Sequence, residues 1–244
     1  MGVPGPYIGG TKNVGGMSRT WPIIILAAVA VIIVVVTIGY AFSTAEVTGR
    51  TSQERIDSIC KLADEKPRGA GDAIAAAAVG ESDPAVRKAA FLALGRFAGD
   101  KHRQVVEAGT RDADAAVRAS AAATLGLYDD DAAACRLGEL LTGDPDEAVR
   151  MGALTGLGHI RGLRATALVV RAIEGDDRLP VRLRAMQTLG VRFGFTFRDP
   201  TDPRTPAGAA RIRNTLKMLP AVTEALEKYP PEPAGGDSDG QAGP

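Results

Sequence analysis

Apolar residues fall at a helical spacing that returns at an almost constant interval through the middle of the chain. With Val86, Val117, Val149 and Val181 as position zero, positions 0, +4 and +8 read Val86/Ala90/Leu94, Val117/Ala121/Leu125, Val149/Ala153/Leu157 and Val181/Ala185/Leu189. A spacing of four puts these residues on one face of an α-helix. Position +5 widens the stripe with Phe91, Ala122, Leu154 and Met186. Position +7 stays small or short (Ala93, Thr124, Gly156, Thr188), which lets a neighbouring helix come close. The valines are separated by 31, 32 and 32 residues (117−86, 149−117, 181−149). A fixed period in the range of about 20–50 residues marks a stacked repeat array.

The punctuation agrees with the period. An acid precedes the first three helices at Asp83, Asp114 and Asp146, where its carboxylate can accept from the unpaired N–H groups of the first turn. A Leu-Gly pair follows each copy at 94–95, 125–126, 157–158 and 189–190, and the glycine is expected to stop the helix. A second helix fills each unit, with apolar pairs at +19, +20, +23 and +24 such as Val105/Val106 and Leu168/Val169/Ala172/Ile173. Projected back one period, the register lands on Arg55 and Leu62, with Glu54 in place of valine. Residues 51–80 therefore read as a degenerate first repeat that caps the array.

Within each copy an acid and an arginine stand six residues apart: Glu81/Arg87, Asp112/Arg118, Asp144/Arg150 and Asp176/Arg182. Through this Asp…Val-Arg…Ala…Leu-Gly signature, residues 51–191 resemble the HEAT repeat family, and in particular its short, phycobilisome-lyase-like form. The resemblance implies an all-α solenoid, a right-handed superhelix of about five helix pairs. It also implies a ladder, in which each acid bonds an arginine on a neighbouring repeat. Glu81, Arg87, Asp112, Arg118, Asp144, Arg150, Asp176 and Arg182 would be its residues. The resemblance speaks for architecture and not for activity.

Outside the array the pattern changes. Residues 23–42, IIILAAVAVIIVVVTIGYAF, carry no charge, and twenty helical residues span about 30 Å, the thickness of a bilayer's hydrocarbon layer. Trp21 and Tyr40 stand near its ends. These features predict a transmembrane helix over 21–42, ahead of a linker at 43–50 and the repeat domain at 51–229. Residues 1–20 form a Gly-rich flexible leader, and 230–244 have the composition of a disordered tail. The alternative for the apolar run is a cleaved signal peptide, with Ser43-Thr44-Ala45 as its small-x-small site. Uncleaved, the chain is a single-pass protein of the cell membrane, its N-terminus cytoplasmic and its repeats outside.

Charge and rare residues narrow the function. With 29 basic and 29 acidic residues the chain has no basic excess for a phosphate backbone, so nucleic acid is not an expected partner. The two histidines, His102 and His159, are followed by Arg103 and Ile160, unlike the His-Glu pairs of di-iron HEAT-like proteins. No metal-ligand spacing, phosphate loop or nucleophile elbow is present in the sequence, so neither cofactor nor catalytic residue is expected and the chain reads as a non-enzyme. Cys60 and Cys135 lie two repeats apart, too far for a bridge, and read as small buried hydrophobes.

The repeat breaks after Gly190, in VRFGFTFRDPTDPRTPAG. Phe193, Phe195 and Phe197, flanked by Arg192 and Arg198, combine the residue types of a protein-binding hot spot. The favoured alternative is that the same phenylalanines close the open end of the stack, together with the helix around Ile212, Leu216 and Leu219. The chain is thus expected to be a membrane-anchored HEAT-like scaffold that binds a partner protein. The alternative is a phycobilin lyase-like protein that handles a bilin chromophore.

Overall fold

A computed structural model of the chain describes residues 45–196, 203 and 205–230. Among these the structure is all-α, with eleven helices and two short 3-10 turns. Five helices carry the Val-Arg register: α1 (Ser52–Glu65), α3 (Pro84–Leu94), α5 (Ala115–Leu125), α7 (Glu147–His159) and α9 (Leu179–Phe193). Between them run α2 (Ala70–Gly80), α4 (Asp100–Gly109), α6 (Asp131–Gly143) and α8 (Leu163–Gly175). Helices α10 (Pro206–Lys217) and α11 (Pro220–Lys228) follow.

The odd-numbered helices up to α9 pack side by side in one layer, and α2 on α4 and α6 on α8 in the other. Each even helix packs chiefly on the odd helix that follows it. The structural unit is therefore a hairpin of second helix plus next first helix, joined by the short loop that carries Glu81, Asp112, Asp144 or Asp176. Positions 0, +4, +5 and +8 of the four copies from α3 to α9 are buried between the layers. Their fixed recurrence is the reason one core runs through the whole array.

The caps follow the sequence expectation. Asp83, Asp114 and Asp146 accept from the backbone N–H groups of Ala85, Ala116 and Ala148 at 2.8–2.9 Å. In the degenerate first unit Thr51 and Glu54 form a reciprocal capping box, which accounts for glutamate in the valine position.

Several expectations are corrected. The glycine at +9 ends the α-helix in only two copies: Gly95 and Gly126 are C-caps, but right-handed ones (φ −56° and −61°) that lead straight into 3-10 turns. The helices holding Gly158 and Gly190 simply continue. What the position supplies is close approach. A Cβ on Gly126 would lie 2.1 Å from the carbonyl oxygen of Gly156, the +7 residue of the next copy, so α5 and α7 touch backbone to backbone. Cys60 and Cys135 are free and exposed, not buried. The membrane localisation is not upheld: among the described residues no helix is long and apolar enough to cross a membrane. The apolar run at 23–42, the leader and the tail from 231 lie outside those residues.

Candidate partner-docking surface

Arg87, Arg118 and Arg150 each span two neighbouring hairpin loops. Arg87 grips the Asp112 carboxylate through Nε and Nη2 at 2.9 and 2.8 Å, and its Nη1 donates to the carbonyls of Glu81 and Ser82. Arg118 does the same with Asp144 (2.9 and 3.1 Å) and the carbonyls of Asp112 and Ala113. Arg55–Glu81 (3.1 Å) precedes these pairs and Arg150–Asp176 (3.1 Å) follows. Among the described residues Arg182 meets no carboxylate; it donates to the carbonyls of Asp176 and Pro203. Asp112, Asp144 and Asp176 also accept the backbone N–H two residues on, which closes each loop.

The protonation equilibria follow this geometry. The Arg87 guanidinium holds the Asp112 carboxyl below the usual carboxylate range, against the opposing effect of burial. For Asp144 burial alone would push the carboxyl up, but Arg118 and the Asp146 N–H outweigh it and the net shift is downward. The Arg87–Asp112 and Arg118–Asp144 pairs are mutually satisfied by two hydrogen bonds each.

The break after Gly190 also turns inward. Arg192 donates to Thr166 Oγ1 at 2.8 Å and to the carbonyls of Leu157 and Ile160, and burial pulls its guanidinium pKa down. Phe193 and Phe195 are half-buried against the core, and the Phe195 N–H donates to the Gly190 carbonyl at 2.9 Å. Arg192 is therefore not an open hot spot, and the two phenylalanines contribute to closing the stack. Phe197 and Arg198 lie outside the described residues.

A different surface is left open. Positions +2, +6 and +10 of the odd helices from α3 to α9 form an outer row away from the ladder, exposed at most places and half-buried at Ala119, Ala123 and Met151. They read Lys88/Leu92/Arg96 on α3 and its turn, Ala119/Ala123/Leu127 on α5 and its turn, Met151/Thr155/His159 on α7 and Leu183/Gln187/Val191 on α9. Surface helices ordinarily place charge there. On α5, α7 and α9 this row holds no Lys, Arg, Asp or Glu. Leu92, Leu183 and Val191 are 53%, 45% and 80% exposed. Charge returns only at the first end, where Arg96 pairs with Asp64 of α1 and Lys88 is exposed. The row was overlooked in the sequence because its residues are common ones; the signal was a missing charge at outward positions, copy after copy.

The comparisons with known proteins bear on the scaffold. Residues 103–190 match the family model of HEAT repeats. No curated protein matches the chain. Among solved structures it is similar to the complex of CpcE and CpcF of phycocyanin lyase from Nostoc sp. PCC7120. The identity is 23%, the match covers 75% of this chain and 72% of that one, and the TM-score is 0.50. This likeness overturns the expectation that the chain is a non-enzyme, because a solved structure with this fold belongs to a lyase. The described chain is an all-α, HEAT-like solenoid, with HEAT repeats matched over 103–190.

Proposed function

We propose that the chain is a protein-docking solenoid whose partner lies across the +2/+6/+10 row of α3, α5, α7 and α9. The observation that supports this is the absence of charge from the row on α5, α7 and α9. Leu92, Leu127, Leu183 and Val191 are exposed, with the half-buried Met151 and alanines small enough to admit a partner's backbone beside them, and the array repeats the row over successive helices. The partner this suits presents an apolar strip, with an acidic residue placed to meet Lys88 at the first end. Docking on this row is compatible with a reaction carried out by the assembled complex.

A photo-crosslinking amino acid at Gln187 tests the reading against the same residue at Glu139, which is exposed on α6. The row position should give a discrete protein adduct that disappears in the Leu183→Asp/Val191→Asp variant. An adduct at Glu139 alone, or one at Gln187 that survives the double variant, would refute the row. A second reading, handling of a bilin as the alternative above describes, is favoured by the fold likeness to the phycocyanin lyase complex. Its test is transfer of a bilin to an apo-phycobiliprotein, followed by absorbance. No acceleration by the purified chain, alone or with its crosslinked partner, would reject it.

A further inference from the structure

Helix α11 does not continue the array. Its start lies by Glu174 at the end of α8, and Tyr229, the residue that follows it, reaches back to Arg164 and Arg171, so α11 runs antiparallel to α8. It covers the flank of α8 on which a further second-layer helix would have packed. The cover is thin. Nine residues make a helix too short to hold its own conformation in water. Only Val222 and Ala225 are fully buried, with Leu226 half-buried beside them. A cavity of about 320 Å³ remains between α11, α10 and α8, bounded by Leu216, Val222 and Leu226. The polar grip is more developed. The Arg164 guanidinium sits 4.6 Å from the centre of the Tyr229 ring, and Arg171 Nη2 donates at 2.6 Å to the carbonyls of both Tyr229 and Pro230.

We infer that this flank of α8 is a second docking site, and that α11 with Tyr229 and Pro230 is its built-in occupant. The partner is a short amphipathic helix with the strap's own chemistry. It carries apolar residues at i, i+3 and i+4, as Val222, Ala225 and Leu226 do, and an aromatic at i+7 where Tyr229 stands. Side chains larger than Val222 and Ala225 would occupy the cavity that the strap leaves, so such a helix gains contacts the strap lacks. A tethered strap competes as an intramolecular ligand, which lowers a partner's apparent affinity by the fraction of sites left open. The site is independent of the uncharged row on the first-layer helices.

A labelled peptide of residues 218–230 is added to the full-length chain and to the full-length Val222→Asp/Tyr229→Ala variant. The variant should bind the peptide at least about ten-fold more tightly than the parent chain, whose strap occupies the site. Binding to the variant should be lost when Arg164 and Arg171 are also changed to Ala, or when the peptide carries Tyr229→Ala. Equal binding to both chains, or none to a variant that keeps its helical circular dichroism, would overturn the inference. Hydrogen exchange on the unmodified protein supplies a measurement free of folding effects. Amides of α11 should exchange at least about ten-fold faster than those of α8, and exchange of the two helices as one unit would overturn it equally.

Discussion

Removal of the Asp144 carboxylate is the sharpest test of how this array is held together. In Asp144→Ala, Arg118 loses acceptors at 2.9 and 3.1 Å, and the Asp146 N–H loses one at 3.0 Å. The aspartate side chain is 7% exposed and the arginine 17%, so water replaces little of what is lost. Taking one partner from a fully buried ion pair costs about 3–5 kcal/mol. Arg118 keeps the carbonyls of Asp112 and Ala113, which places the expectation near the lower end, about 3 kcal/mol. For an array of this length that is a loss of roughly 6–12 °C in melting temperature. Asp144→Asn retains the loop acceptor and one bond to Arg118, and should cost about 1–2 kcal/mol. Asp177→Asn, at a carboxylate 79% exposed and paired with Arg150, should cost less than about 0.5 kcal/mol. Urea and thermal unfolding, followed by circular dichroism, measure all three. The sign with pH is also determined. The folded Asp144 carboxyl titrates below its unfolded value of about 3.9, so the gap between parent and Ala variant is full above that value. It closes as pH falls through the lowered folded pKa. An Asp144→Ala variant within about 0.5 kcal/mol of Asp177→Asn near neutral pH would refute the inter-hairpin ladder as a source of stability.

Other expectations follow from close contacts and inward-turned groups. Gly126→Ala puts a methyl 2.1 Å from the Gly156 carbonyl oxygen and should destabilise by about 1–3 kcal/mol or more. Gly143→Ala, with nothing within 4 Å of the new methyl, should stabilise by up to about 1 kcal/mol; melting temperatures moving in opposite directions are the readout. Arg192→Ala leaves the carbonyls of Leu157 and Ile160 and the Thr166 hydroxyl without their donor, and should cost about 2–3 kcal/mol. A normal melting curve combined with loss of partner crosslinking would instead return Arg192 to the docking surface. Leu183→Asp/Val191→Asp, at exposed positions, should change stability by less than about 0.5 kcal/mol per site while abolishing the Gln187 adduct.

Much of the fold is legible along the chain because it is locally encoded. Apolar positions at 0, +4 and +8 define a helix wherever they occur, and Asp83, Asp114 and Asp146 cap the next turn within two residues of themselves. The period near 32 then implies a stack, since a single hairpin cannot bury its stripe alone. Candidate function was less legible, because outwardness is not a property of a residue's type. Leu94 and Leu92 are both leucines on α3, yet one is core and the other stands in water. Only the packing of odd helices side by side turns Leu92, Ala123, Thr155 and Gln187 into one surface.

What the sequence determined by itself was helical identity, period, capping and the pairing type of acid with arginine, each set by neighbours a few residues away. Tertiary structure decided which helices form a hairpin and which way the residues around each turn face. Gly126 ends its α-helix as its sequence position suggests, but it is also a contact, because its φ stays helical while the neighbouring helix lies too close for a methyl. Arg192 looked like a binding residue and faces inward, because carbonyls more than twenty residues away are brought to it by the stack. A sequence specifies such groups but not their distance in space. That distance arises only when the repeats close on one another and each buried donor must find its acceptor.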